Sequence, residues 1–279
     1  LVKFKNKELS YRLFVSFLFI PFFLAIFSYG SYPYLFMILG IIGIMSYEFF
    51  TLLKEKGLQP YLRTGILSSI VISFIMNYSS AIFTYFLITV LIIFVSIREL
   101  RRNDTDKSIV YISATTFGVL YSGWLGGHMI LIERLSFSLF DSPKLVVLSF
   151  LMIWMSDTGA FFVGSRFGKH KILPRISPSK SYEGLIGGFI FSLLSGSIYS
   201  LFYFKELLFV DIFILSIISS IGGLSGDLIE SAMKRDAQLK DISSFLPGHG
   251  GVLDRFDSVL FALPLIYYYT IFVINYRIL

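Results

Sequence analysis

The chain has 279 residues, of which 55% are hydrophobic and only 15% charged, with a formal net charge of +6 and no cysteine. Soluble domains carry nearer 25% charge, so an ordinary soluble fold is excluded, and the absence of thiols rules out disulfides and thiolate metal sites. The three histidines, His128, His170 and His249, lie far apart, so any metal is expected to be a hard ion held by oxygen.

The apolar residues fall in blocks of about 16–22, long enough to cross a bilayer as helices. The pattern predicts an all-α, polytopic membrane bundle with spans at 12–29, 34–53, 65–78, 81–97, 109–125, 144–163, 185–204, 207–228 and 258–276. The first follows Lys3, Lys5, Lys7 and Arg12; no A-x-A-like cleavage site comes after it, so it reads as a retained span. Asn77-Tyr78-Ser79-Ser80 ends the third early. Twenty of the 24 lysines and arginines fall in 1–12, 54–64, 98–108, 164–184 and 229–257, and the rest are Arg134, Lys144, Lys205 and Arg277. The positive-inside rule then places the N-terminus in the cytoplasm, and it accounts for the net charge without nucleic acid. It also puts 164–184 and 229–257 on one face. Residues 1–125 read as an N-terminal set of spans with few polar groups. Residues 126–279 read as a C-terminal transmembrane region carrying the chemistry on its cytoplasmic face. There is no internal repeat and no low-complexity linker.

Four polar constellations stand out in the second half. In Trp154-Met155-Ser156-Asp157-Thr158-Gly159-Ala160, Asp157 sits inside a predicted span, about 10 Å from its end. A carboxylate at that depth lines a polar cavity or pairs with a cation; a structural bond to a neighbouring helix is the plainer reading. Gly164-Ser165-Arg166-Phe167-Gly168-Lys169 follows it but lacks the spacing of a P-loop. Next, Ser177 precedes Pro178 as a candidate helix N-cap, with Lys180 beside it, a combination suited to an anion. Third, Asp227 and Glu230 stand three apart on one helical face after the small residues Gly222-Gly223-Leu224-Ser225-Gly226. Two such acids repel unless a cation lies between them, and Mg²⁺ is the natural candidate.

The fourth and densest stretch is SAMKRDAQLKDISSFLPGHGGVLDRFD, Ser231 to Asp257. Lys234 and Arg235 can neutralise phosphate oxygens. Pro247-Gly248-His249-Gly250-Gly251 must turn, and its free N–H groups can cradle a phosphate. Asp254 and Asp257 again stand three apart. A nucleoside triphosphate with its metal fits this segment; a solvated charge run does not explain two acid pairs bracketing basic residues at the ends of two spans.

This stretch resembles the signature of the phosphatidate cytidylyltransferases, or CDP-diacylglycerol synthases: S-x-x-K-R-x(4)-K-D, a spacer, then H-G-G-x-x-D-R-x-D. Ser231, Lys234, Arg235, Lys240, Asp241, His249, Gly250, Gly251, Asp254, Arg255 and Asp257 fill every fixed position. The upstream W-x-x-D-T-x-A, G-x-x-F-G-K and S-P-x-K-x-x-E-G segments are also similar to the family. The resemblance covers about residues 150–260.

The resemblance implies that CMP passes from CTP to phosphatidic acid with Mg²⁺, giving CDP-diacylglycerol and pyrophosphate for phospholipid synthesis in a bacterial plasma (inner) membrane. With it, the expected metal ligands are Asp227 and Asp254, supported by Asp157, Glu230 and Asp257. Lys234, Arg235 and Arg255 are expected on phosphates, with Asp254, Asp257 and His249 also in the catalytic set. Ser177, Lys180, Lys169, Lys240, Gly250 and Gly251 are expected to bind substrate. A second cation and a homodimer through glycine-rich faces are compatible with the sequence but not demanded by it. The rival readings are a dolichol-kinase-like or archaeal CDP-lipid enzyme and an ion transporter; a transporter would show paired repeats and interrupted helices near the midplane, whereas this chain gathers its charge at one face.

Overall fold

The computed structural model describes residue 26 and residues 31–78, 80–140, 143–204, 207–239 and 250–278. Within them the chain forms eight helical stretches: α1 (Ser31–Glu55), α2 (Leu62–Tyr78), α3 (Ala81–Glu99), α4 (Ser108–Phe140), α5 (Lys144–Phe167), α6 (Tyr182–Tyr203), α7 (Phe209–Asp236) and α8 (Leu253–Asn275). All but α2 are long and apolar enough to cross a membrane. The expected span at 12–29 lies outside the described residues save for Ile26. The only β pairing among the described residues is an isolated bridge between Lys171 and Ser181.

Three helices differ from expectation in ways that matter. α4 does not end at Leu125; it continues through a π-helical segment, Val119–Leu125, to Phe140. Met129, Ile130 and Ile132 lie on this continuation and are buried. α7 runs on to Asp236, past the expected end at 228, so Glu230, Lys234 and Arg235 ride on a helix. α8 begins at Leu253 rather than 258 and carries Asp254 and Asp257 in its first turns.

The chain divides into two compact units. One comprises the described residues up to Gly123 with those of 239–255; the other comprises Trp124–Gln238 and Phe256 onward. In the first, α1 buries Tyr34, Ile38, Ile42, Met45 and Phe49, spaced three or four apart and therefore on one face. Serines bind the π segment to its neighbours. The Ser122 hydroxyl lies 2.7 Å from that of Ser46 and 3.3 Å from that of Ser69, and Ser73 Oγ donates to the Gly123 carbonyl at 2.8 Å. Such bonds satisfy backbone groups that a π turn displaces, where lipid offers no partner. Gly123 is needed here, because a Cβ would stand 2.6 Å from the Ser69 Cα.

The second unit is built on close helix pairs. Small residues let helix backbones approach where lipid removes the hydrophobic drive to associate. A Cβ on Gly188 would meet the Ser156 carbonyl at 2.8 Å, and one on Gly159 the Gly187 carbonyl at 2.7 Å, so α5 and α6 touch backbone to backbone. At the other end of α7, buried Asp211 accepts from the Leu208 N–H at 2.8 Å, Tyr269 Oη at 3.0 Å and Arg277 Nη1 at 3.0 Å. The first of these bonds closes the start of α7; the others fasten the end of α8 to it.

Candidate active site

The loop between α5 and α6 folds back on itself and delivers Lys180. Tyr182 N–H donates to the His170 carbonyl at 3.0 Å and Ile172 N–H to the Lys180 carbonyl at 3.2 Å. Ser181 caps α6, accepting from Gly184 N–H at 3.1 Å. The expected N-cap was Ser177; instead Ser177–Lys180 is a turn, with Lys180 N–H on the Ser177 carbonyl at 3.4 Å, and α6 begins four residues later. Gly168 allows the fold-back, since a Cβ there would sit 2.5 Å from Ser181 Oγ. The base of the loop is tied by His170, whose Nδ1 lies 2.6 Å from the Glu183 carboxylate.

Lys180 makes an ion pair with Asp227 and lies within electrostatic reach of Asp157 and Asp257. Burial pushes its ammonium down, but Asp227 and then the other two acids more than offset this and hold it above its ordinary value. The acids have further supports. Asp227 accepts from Ser231 Oγ at 3.2 Å, one turn on along α7. Asp157 accepts from Ser258 Oγ at 3.3 Å. Asp257 accepts from the Ser258 N–H at 2.7 Å and faces Glu230. Glu230, 1% exposed, pairs with Lys234 at 3.2 Å.

Glycines allow this gathering. A Cβ on Gly226 would run into the Asp257 carbonyl, and one on Gly223 would stand 3.7 Å from Asp157 Oδ1. α7 therefore lies against the start of the Ser258 turn with no side chain between them, and α5 brings Asp157 to the same place. Four acids and two lysines from α5, the 168–181 loop, α7 and α8 thus meet inside one unit. All donors are oxygens or ammonium groups, a set for phosphates and hard cations.

Among the described residues, no three His, Asp or Glu form a ready metal cage; a lysine sits among the acids instead. The donor chemistry still suits Mg²⁺, which commonly takes one or two carboxylates and completes its shell with water and substrate phosphates. Arg235 is exposed at the end of α7. Lys169 is exposed on the loop and makes no ion pair among the described residues. Ser177 is buried, its hydroxyl 3.3 Å from that of Ser179. Lys240 and His249 lie outside the described residues.

The turn before α8 is organised in the other unit. Gly250 has φ +78°, a conformation that favours glycine. Asp254 Oδ2 accepts from the Gly251 N–H at 2.9 Å, and Arg255 is exposed beside it. Glu48, from the middle of α1, accepts from Val252 N–H at 3.0 Å and from Leu253 N–H at 2.7 Å. It is 1% exposed. Its carboxylate thus holds two of the amides that the start of a helix leaves without an internal partner. A Cβ on Gly251 would stand 2.8 Å from Glu48 Oε2, so the second glycine of the signature makes room for this carboxylate. Sequence reading passed over Glu48, although a lone acid within the apolar run 34–53 was a signal. Nothing in the sequence singled out Ser258.

Known proteins resemble the chain strongly. A 118-residue stretch is 43% identical to phosphatidate cytidylyltransferase of Bacillus subtilis, covering 42% of this chain and 44% of that protein. The enzyme of the same name from Staphylococcus saprophyticus is 43% identical over 140 residues, 50% of this chain and 52% of the relative. That from Staphylococcus haemolyticus is 46% identical over 126 residues, 45% and 48% respectively. The aligned stretch spans about half the length of these relatives. Residues 10–273 match the cytidylyltransferase family, nearly the whole chain, and the chain belongs to that family.

Proposed function

We propose that the protein transfers CMP from CTP to phosphatidic acid, releasing pyrophosphate and forming CDP-diacylglycerol. The observation that carries this reading is Lys180 set among Asp157, Asp227 and Asp257 within a unit of bilayer-crossing helices. An anion-handling site inside such a unit suits a reaction between a lipid phosphate and a nucleotide. The names of the relatives support the same choice.

The phosphate of phosphatidic acid is already an anion and needs little help from a base. A bond forms from its oxygen to the α-phosphorus of CTP as the bond to the β-phosphate bridging oxygen breaks. The barrier is charge crowding, so the chain's task is alignment and neutralisation. Lys180 and Lys234 hold phosphate oxygens from within the helical unit, and Arg235 from its exposed edge; Arg255, in the other unit, is a further cation for phosphate. Asp157, Asp227 and Asp257, with Glu230, are the carboxylates that this unit offers a divalent ion, which would supply Lewis acidity when bound with the nucleotide. By the positive-inside rule the basic loops support a site that faces the cytoplasm, and the bacterial relatives support a plasma membrane.

The test is pyrophosphate release by purified protein given CTP, phosphatidic acid and Mg²⁺. Release that needs both substrates and stops with EDTA is expected. Release with ATP replacing CTP, or CDP formed with a polyprenol acceptor, would overturn the assignment.

A further inference from the structure

The first unit holds a second candidate for lipid binding, which shares no residue with those assigned above. At the end of α3 a cavity of about 530 Å³ is lined by Tyr61, Phe94, Ile97, Arg98, Arg101 and Arg102. Its lining carries three guanidinium groups and no carboxylate. Two of these are held in place. Arg98 lies over the Tyr61 ring, 4.7 Å from its centroid, and also donates to Thr64. Arg102 lies over the Tyr111 ring at 4.1 Å, donates to the Asp106 carbonyl at 2.8 Å and pairs with Glu99 at 3.5 Å. Glu99 is also occupied by the Tyr61 hydroxyl at 2.6 Å. Arg101 is exposed and makes no ion pair among the described residues.

A second cavity of about 240 Å³ lies between α2 and α3, lined by Leu67, Val71, Leu87, Val90 and Phe94 among others, and is almost wholly apolar. Phe94 lines both cavities. Along α3, Leu87, Val90, Phe94 and Arg98 recur every three or four residues, so they form one stripe, and Arg101 follows in the turn after the helix. From Leu87 to Arg98 the helix rises about 16 Å, close to the depth of one leaflet of a hydrocarbon core about 30 Å thick.

We propose that this stripe binds one membrane phospholipid with an anionic headgroup, its phosphate among Arg98, Arg101 and Arg102 and an acyl chain in the groove between α2 and α3. Guanidinium groups fixed over aromatic rings are preorganised for phosphate oxygens. A groove one leaflet deep that starts at such a cluster matches an anionic phospholipid in both parts. A soluble phosphate would use only the arginines, and a zwitterionic lipid would set a second cation against them. The site is separate from the proposed reaction and does not depend on it.

The experiment is native mass spectrometry of protein reconstituted with equal phosphatidylglycerol and phosphatidylcholine of the same chains. Wild type is expected to retain phosphatidylglycerol in preference. Arg101→Gln, at an exposed side chain, should lower that retention roughly fivefold, the effect of one cation near a membrane phosphate. Val90→Trp, which fills the groove, should lower it as well, while Asp227→Asn should retain the lipid. Equal retention of phosphatidylcholine would overturn the proposal. So would displacement by inorganic phosphate, retention that neither variant changes, or a loss in only one of the two.

Discussion

Lys180 and Glu48 are each a single charge held by several partners, and each makes a sharp expectation. Lys180→Met removes an ammonium that faces Asp157, Asp227 and Asp257 together. Pyrophosphate release should fall about 100-fold or more, the scale on which preorganised electrostatic groups act, with Lys180→Arg recovering part of it. Because the folded state raises the Lys180 pKa above 10.5, its stabilising contribution is whole at neutral pH. It should be lost only as the solution passes to more alkaline values, which thermal unfolding of wild type and Lys180→Met against pH would check. Glu48→Ala strands two backbone N–H groups at the start of α8. Each buried donor left unmet costs about 1–3 kcal/mol, so detergent-solubilised protein should unfold at lower temperature. Glu48→Gln keeps one oxygen acceptor and should lose less. The signature residues were legible in sequence because lysines, arginines and acids are conspicuous in an apolar chain. The partners that fix them were not: Ser258, Ser181 and the carbonyls of the 168–181 loop have no compositional signal, and their roles depend on which helices meet.

Among the helices, the contact of α7 with α8 matters most for the acids. Gly226 faces the Asp257 carbonyl, and Gly222 would place a Cβ 2.9 Å from the Ala262 Cα. No methyl group fits at either position without moving a backbone. Gly226→Val should therefore separate Asp227 from Asp257 and abolish turnover. Gly223→Ala has only side-chain neighbours at 3.5 Å and beyond, so it should retain most activity; assaying the pair separates backbone contact from mere smallness. Hydrophobic runs located the described spans well, since a helix in lipid needs about 20 apolar residues. They misjudged ends where helices continue into polar sequence. The last two turns of α7 and the first of α8 are rich in charge, and hydropathy alone stops short of both. The continuation of α4 past Gly126 was hidden because a π turn and buried serines can carry a helix through glycines that would ordinarily end it.

For the molecule as a whole, the lack of cysteine opens a direct check of sidedness. Ser179→Cys on the Lys180 loop and Ser138→Cys near the end of α4 are predicted to lie on opposite faces, with Ser179 inside. A membrane-impermeant maleimide added to intact cells should label the second and spare the first until the membrane is opened. Labelling of Ser179→Cys from outside would invert the charge-based orientation.

Lys180 among its acids also bears on the order in which ligands arrive. The pocket is partly neutralised from the start, because one counter-ion is covalently attached. A cation entering alone would compete with an ammonium that has nowhere else to go, and a phosphate entering alone would compete with Asp227 for that ammonium. Charge is then exchanged best in matched pairs: the nucleotide takes the lysine as its metal takes the carboxylates. Titration with Mg²⁺ alone should give weak binding, CTP alone likewise, and the two together far more than either. The protein would thus stay indifferent to free ions and respond to the complex it is meant to consume.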